Sequence, residues 1–299
     1  MQQLTFCLGF NSLCVFSHIP SYSLADTGAQ LEQYYNISYT VVSLVFLSPL
    51  VGYIASAMLN NSIHMTFGQR GVAFISPGVR IIAYIIISQH PPYPALVIAF
   101  ILAGFSNGLE DAAWNAWMGI MQNANEILGF LHGAYGLGAT LGPLIATTMV
   151  TKGHLGWYTF YYIMVGASGI EIFAAVAAFW KETGQKFQDE HPRTSGKTGG
   201  RTREALSSRV TWICSVFLLI YVGIEVAIGG WVVVFMMKIR HAAPFAAGMS
   251  ETGFWLGITL GRLTLGFVTP RVGEKLAIVV CVMPIPSSST ETMYHLALP

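Results

Sequence analysis

Long apolar blocks, at 39–59, 72–88, 94–121, 127–150, 156–180, 210–237 and 246–268, alternate along the chain with short polar breaks. A helix rises 1.5 Å per residue and roughly 20 apolar residues cross the hydrocarbon of a bilayer, so each block predicts a membrane-spanning helix. A weaker apolar run covers 4–19, and another begins near 276 and stops at Pro284. Residues 1–69 contain no Lys or Arg. The first run therefore lacks the basic n-region of a signal peptide and reads as a poor first span. The one sizeable polar stretch, 181–209, is rich in Gly, Ser, Thr and charge and cannot bury a core. It predicts a flexible linker between two helical bundles, with a docking segment as the alternative.

Composition agrees with the blocks. Hydrophobic residues make up 54% of the chain and charged ones 10%, with a mean hydropathy of +0.57, too apolar to cover a soluble globule of this size. A net charge of +1 supplies no field for nucleic acid. The four cysteines, Cys7, Cys14, Cys214 and Cys281, lack the spacing of a metal site or a disulfide scaffold and read as packing residues. Counting 4–19 as the first span puts Arg70, the seven basic residues of 181–209, Arg271 and Lys275 on one side. Lys152, Lys238 and Arg240 fall on the other. The richer side, with the linker, is expected to be cytoplasmic. Asn36, in an Asn-Ile-Ser sequon, then faces outward, and Asn60 does not.

Charges inside the spans carry the candidate chemistry. In "NGLEDAAWNAW", residues 107–117, helical spacing puts Asn107, Glu110, Asp111, Trp114, Asn115 and Trp117 on one broad face. Each acid at mid-membrane costs roughly 2.5 to 3.5 kcal/mol on an insertion scale, so two of them must face water, a counter-charge or a proton. Interhelical hydrogen bonding would account for Asn107 or Asn115 alone. It accounts poorly for adjacent carboxylates, whose simultaneous ionisation burial and repulsion both penalise, and the face is expected to line a cavity. Arg80 lies at a depth comparable to Asp111 and is expected to pair with it. Span six carries Glu171, and span seven stacks Tyr221, Glu225 and Gly229 at four-residue spacing, with Trp231 beyond. Glu225 reads either as part of a shared pathway or as half of a structural ion pair.

Span five, "GFLHGAYGLGATLGP", offers small-xxx-small pairs at Gly129/Gly133 and Gly138/Gly142, followed by Pro143. These suit close helix packing, or a helix that slides. His132 reads as an interhelical donor. Two loops expected on the cytoplasmic side echo each other, "NSIHMTFGQR" (61–70) and "GFVTPRVGEK" (266–275), each after the second span of a group of six. That internal repeat is the hydropathy signature of a transporter with a midplane site.

The second loop resembles the G-x-x-x-D-R-x-G-R-K signature of the major facilitator superfamily at Gly266, Arg271, Gly273 and Lys275, with Pro270 and Glu274 replacing the usual Asp and Arg. The first keeps Gly68 and Arg70. Further motifs look like a fungal group related to bypass of stop codon protein 6, itself similar to fucose and glucose proton symporters. They are Gly104, Gly108, Asp111 and Asn115 in span four, His132 to Gly138, Tyr221 to Trp231, and Ser250 to Arg262. The resemblance implies an all-α polytopic membrane protein of the major facilitator fold. It has a complete or nearly complete N-terminal six-helix bundle (1–180), a cytoplasmic linker (181–209), a truncated C-terminal bundle (210–285) and an atypical tail (286–299). The family has twelve spans, so the chain is expected to be truncated within its ninth.

The expected activity is alternating-access, proton-coupled secondary transport of a small, sugar-like solute in a plasma membrane or endomembrane, by a monomer. The expected solute and proton residues are Asn107, Glu110, Asp111, Trp114, Asn115, Glu225, Trp231 and Arg262, with gating loops at Gly68, Arg70, Gly266, Arg271, Gly273 and Lys275. No cofactor, metal or nucleic acid is expected. A non-transporting relative or a solute sensor is the alternative. A seven-span receptor lacks the duplicated loop, and an intramembrane enzyme would need a nucleophile with its base or a metal set, which the spacing does not offer.

Overall fold

The computed structural model describes residues 34–190 and 206–282. The expected first span at 4–19 and the tail at 286–299 lie outside them. The described residues form helices α1 (Tyr39–Ser88), α2 (Tyr93–Gly119), α3 (Ala124–Thr151), α4 (Phe160–Ala178), α5 (Gly184–Glu190), α6 (Arg209–Lys238), α7 (Pro244–Val272) and α8 (Glu274–Val282), with a 3-10 turn at Trp157–Thr159 before α4. The predicted blocks and the helices coincide to within a few residues. The exception is the predicted loop 61–70, which is helical apart from one residue: Gly68, at φ 69° and ψ −165°, breaks α1 into two spans. A side chain there is strained, and a Cβ would run into the backbone of Glu182 and Thr183. Gly273, at φ 92°, stands between α7 and α8 in the same way, so the two echoed loops each turn on a glycine in one register.

Among the described residues, four stretches are long and apolar enough to cross a membrane: Leu47–Ser88, Tyr93–Gly119, Trp157–Ala178 and Arg209–Lys238. The first holds two spans because of Gly68. Helices α3 and α7 are long enough but carry Gly and Thr where the others carry Leu and Ile, and they pack on each other along their length. Gly129 meets Gly266 backbone to backbone, so that a Cβ on Gly266 would sit 3.0 Å from the Gly129 Cα. Farther along, Gly136 abuts Thr259 and Gly248 abuts Thr147. The α3 helix runs unbroken through Pro143, consistent with span five as a packing helix. Outward faces present Leu47, Leu50, Ile54, Phe74, Ile82, Ile98 and Phe173, which suits lipid.

Helices α1, α2 and α4, with residues of α3 and the 3-10 turn, enclose two apolar clusters. One gathers Val45, Tyr84, Ile87, Leu96, Phe100, Trp157, Phe160, Tyr161 and Met164. The other holds Val72, Ala73, Leu109, Ala113, Trp114, Met118, Leu131 and Phe179. At Gly104 a side chain would collide with the Pro49 backbone, so α1 and α2 touch almost main chain to main chain. The second α1 span is tied to α2 by Ser76 and Ser106, each hydroxyl donating to the other's carbonyl at 2.9 and 2.8 Å.

The linker departs from the uniformly flexible segment expected of 181–209. Its opening part folds as α5 and docks on the end of the first α1 span. The Arg70 amide donates to the Glu182 carbonyl at 3.0 Å, Gln188 Nε2 donates to the Met65 carbonyl at 2.5 Å, and the Phe187 ring lies 5.3 Å from that of His64. Within the turn, the hydrogen bond to Glu182 pushes the Lys186 ammonium up from its usual range. Polarity of composition did not prevent order, because backbone groups at the Gly68 break offered partners.

Candidate functional site

The α2 face that carries Asn107 to Trp117 is divided by its neighbours. Glu110 and Asp111 are one residue apart, about 100° around the helix, and they point to different partners. Glu110 turns into the first bundle, where Arg80 Nη2 pairs with its Oε2 and Arg80 Nη1 donates to Glu171 Oε2 at 2.6 Å. The side chains of Arg80, Glu171 and Glu110 are 0%, 1% and 8% exposed, which makes this triad part of the bundle interior. Trp114, one turn on, stacks on Phe179 with ring centroids 4.6 Å apart and belongs to the apolar core. The expected pairing of Arg80 with Asp111 is corrected accordingly: Arg80 is clamped by acids from α2 and α4, which approach it from the bundle side.

Asp111 takes the other direction. It is half-buried, and its Oδ2 accepts from the Tyr53 hydroxyl at 3.0 Å. Asn115 Nδ2 donates to the Asp111 carbonyl at 2.8 Å. His132, half-buried on α3, lies within electrostatic range of Asp111 and also of Arg262 and Glu225 from the second half. There Arg262 Nη2 spans both Glu225 oxygens at 2.7 and 2.8 Å, its guanidinium lies 5.3 Å over the Tyr135 ring, and the Tyr221 hydroxyl interacts with both charges. Helix α7 brings Arg262 to α3 because the glycine contacts described above hold the two helices together. Asn107 Oδ1 and Arg262 Nη1 are buried without a hydrogen-bond partner, an acceptor on α2 and a donor on α7.

Of the sequence-derived set, the structure thus brings Asp111, Glu225 and Arg262 within electrostatic range of His132, with Asn107 and Asn115 on the helical row of Asp111. It leaves three residues elsewhere. Glu110 and Trp114 are turned into the first bundle. Trp231 is 53% exposed, since six residues carry it about 240° around α6 from Glu225. The gating positions also divide. Gly68 and Arg70 are docked against the start of the linker, with Arg70 Nη1 3.4 Å from the Trp180 carbonyl and its guanidinium 5.3 Å over the Trp180 ring. Gly266 packs on Gly129, Arg271 bonds back to the Phe267 carbonyl at 3.1 Å, and Gly273 and Lys275 are exposed.

Tyr53 and Tyr135 join the site without having been singled out from the sequence, since a tyrosine on an apolar face carries no periodic signal. Glu251 and Trp255, inside the Ser250 to Arg262 motif, are 2% and 0% exposed. The motif located them but not their burial. Among the described residues no group of three or more His, Cys, Asp or Glu side chains is arranged to hold a metal ion.

Comparison with known proteins matches residues 4–285 to the family described as the Major Facilitator Superfamily. The chain is similar to bypass of stop codon protein 6 of Saccharomyces cerevisiae, 29% identical over 265 residues that cover 82% of this chain and 53% of that protein. Among solved structures it is similar to the peptide transporter POT, crystallised as a mutant in complex with sulfate. The TM-score is 0.53 at 15% identity, covering 79% of this chain and 50% of the other. At that identity the likeness speaks for the fold alone. The chain spans about half the length of both.

Proposed function

Because the chain belongs to the Major Facilitator Superfamily, we propose that it serves alternating-access transport of a small, sugar-like solute coupled to protons, with Asp111 as the proton-carrying carboxyl. The observation that supports this reading is that His132 lies within electrostatic range of Asp111, held by Tyr53, in the first half and of Glu225 and Arg262 in the second. Glu110, engaged by Arg80, is not a candidate for the same task.

A carboxylate between two helical halves resists closure of the halves over it, because closure removes its water. Protonation of Asp111 removes that penalty, so proton binding and closure favour each other. A solute hydroxyl can accept from Arg262 Nη1 while another donates to Asn107 Oδ1, with the Asn115 amide beside Asp111. A ligand with several hydroxyls matches a site that offers donors and acceptors together. The Glu225–Arg262 pair keeps the guanidinium in place, and the glycine-lined α3–α7 contact supplies a smooth surface about which the halves rock.

The test is uptake in proteoliposomes. Asp111→Asn is expected to abolish proton-coupled uptake while the protein is still produced and inserted. Unchanged pH-dependent uptake by that variant refutes the assignment.

A further inference from the structure

Lys152, Lys238 and Arg240 stand at the end of the molecule opposite the linker, where α3 and α6 finish and α7 begins, and the transport reading gives none of them a task. One of them, Lys152, reaches across to the other half. Its Nζ lies 4.0 Å from the centre of the Phe245 ring, well inside the roughly 6 Å over which a cation and an aromatic face attract. Lys152 belongs to the first half and caps the C-terminal end of α3, its amide donating to the Thr148 carbonyl at 3.0 Å. Phe245 belongs to the second half, in the first turn of α7, which Pro244 opens. Both positions are held from below. Ala247, fully buried, packs with Val233 of α6, and a Cβ on Gly248 would lie 2.4 Å from Thr147 Oγ1. Deeper along the same seam the Thr140 and Thr259 hydroxyls are 3.3 Å apart.

The far end of the seam is built differently. There Gly129 meets Gly266 backbone to backbone, a contact with no side chain to resist a change of angle. At 1.5 Å per residue Phe245 lies roughly 31 Å along α7 from Gly266. A tilt of about 10° at the glycine contact therefore moves the Phe245 ring by roughly 5 Å, out of range of the ammonium. One end of the seam suits a pivot, and the other a catch that holds in one orientation only. We propose that Lys152 and Phe245 form a clasp that keeps the two halves shut at the end opposite the linker, and that opening of that end releases it. The proposal rests on the reading above that the halves rock about α3 and α7. A cation–π contact at an exposed site shifts the balance of closed and open states by roughly two- to fivefold. That is enough to reset the resting state and too little to decide whether the chain folds.

Distances between the halves test it without any solute. In the full chain with its native cysteines replaced, spin labels are attached at Leu155→Cys and Ile239→Cys, both exposed, in the turns that follow α3 and α6. Pulsed electron spin resonance in lipid nanodiscs then reads a shorter distance for the closed end and a longer one for the open end, and the shorter predominates in the parent. Phe245→Leu, which keeps apolar bulk but removes the ring, and Lys152→Gln are each expected to raise the open-to-closed ratio by roughly two- to fivefold. The two together are expected to raise it no further than either alone. Lys152→Arg, which keeps the cation, is expected to hold the parent ratio. Two distances whose ratio neither variant moves overturn the clasp, as do effects of the two variants that simply multiply. A single distance in every protein overturns the rocking of the halves, and the clasp with it.

Discussion

At the scale of single residues, the deciding fact is that neighbours in sequence are not neighbours in chemistry. Glu110 and Asp111 share a broad polar face on a helical wheel, yet Arg80 and Glu171 capture the first and Tyr53 holds the second. Arg262 and Glu225 are the counterpart in the second half. Their side chains are 21% and 9% exposed, so removing one charge leaves the other poorly hydrated. Glu225→Gln is expected to cost about 2 kcal/mol, read as a lowered Tm in detergent. Adding Arg262→Gln is expected to recover part of the loss. A double-mutant cycle with no coupling between the two positions would contradict the pairing.

At the scale of helices, apolarity by itself does not set how closely a helix packs. Helix α6 is among the four stretches apolar enough to span a bilayer but buries only Glu225, Gly229 and Val233. Helices α3 and α7, diluted by Gly and Thr, fall outside those four stretches yet meet backbone to backbone at Gly129 and Gly266. The reason is that association in lipid depends on shape, and a missing side chain lets backbones approach. Gly266→Leu is expected to force α3 from α7 and to cost roughly 1–3 kcal/mol, as overpacking does. Gly257→Leu, on the same helix with nothing within 4 Å of its would-be Cβ, is expected to be tolerated. Thermal melts of the two variants side by side check the difference, and equal effects would mean that α7 does not rest on α3 at Gly129.

At the scale of the whole molecule, the charged groups form two sets with different access, one sealed inside the first bundle and one where the halves meet. In a background lacking the native cysteines, of which Cys214 is exposed, Asp111→Cys is expected to react with a membrane-impermeant, hydrophilic thiol reagent. Glu171→Cys is expected to be protected. Labelling at position 111 only by a lipid-dissolved probe would remove the wet crevice from between the halves.

Membrane insertion, the approximate bounds of the long apolar helices, and the duplicated loops were legible in the chain by itself. Each follows from a one-dimensional quantity: how many apolar residues fit the hydrocarbon thickness, and which glycine recurs in the same register. Sequence also singled out Arg80, Glu110, Glu171 and Glu225, though not the buried Glu251, because an ion in an apolar block needs a reason to be there. Which ion meets which was decided only in three dimensions. Helical periodicity places a side chain on a face, but a face of about 160° is shared among several neighbours. The approach of α4 with Glu171, and of α3 and α7 with His132 and Arg262, divided that face into a sealed triad and a shared site. Docking of α5 on the Gly68 break was equally beyond composition, since its partners are backbone groups that the break itself exposes.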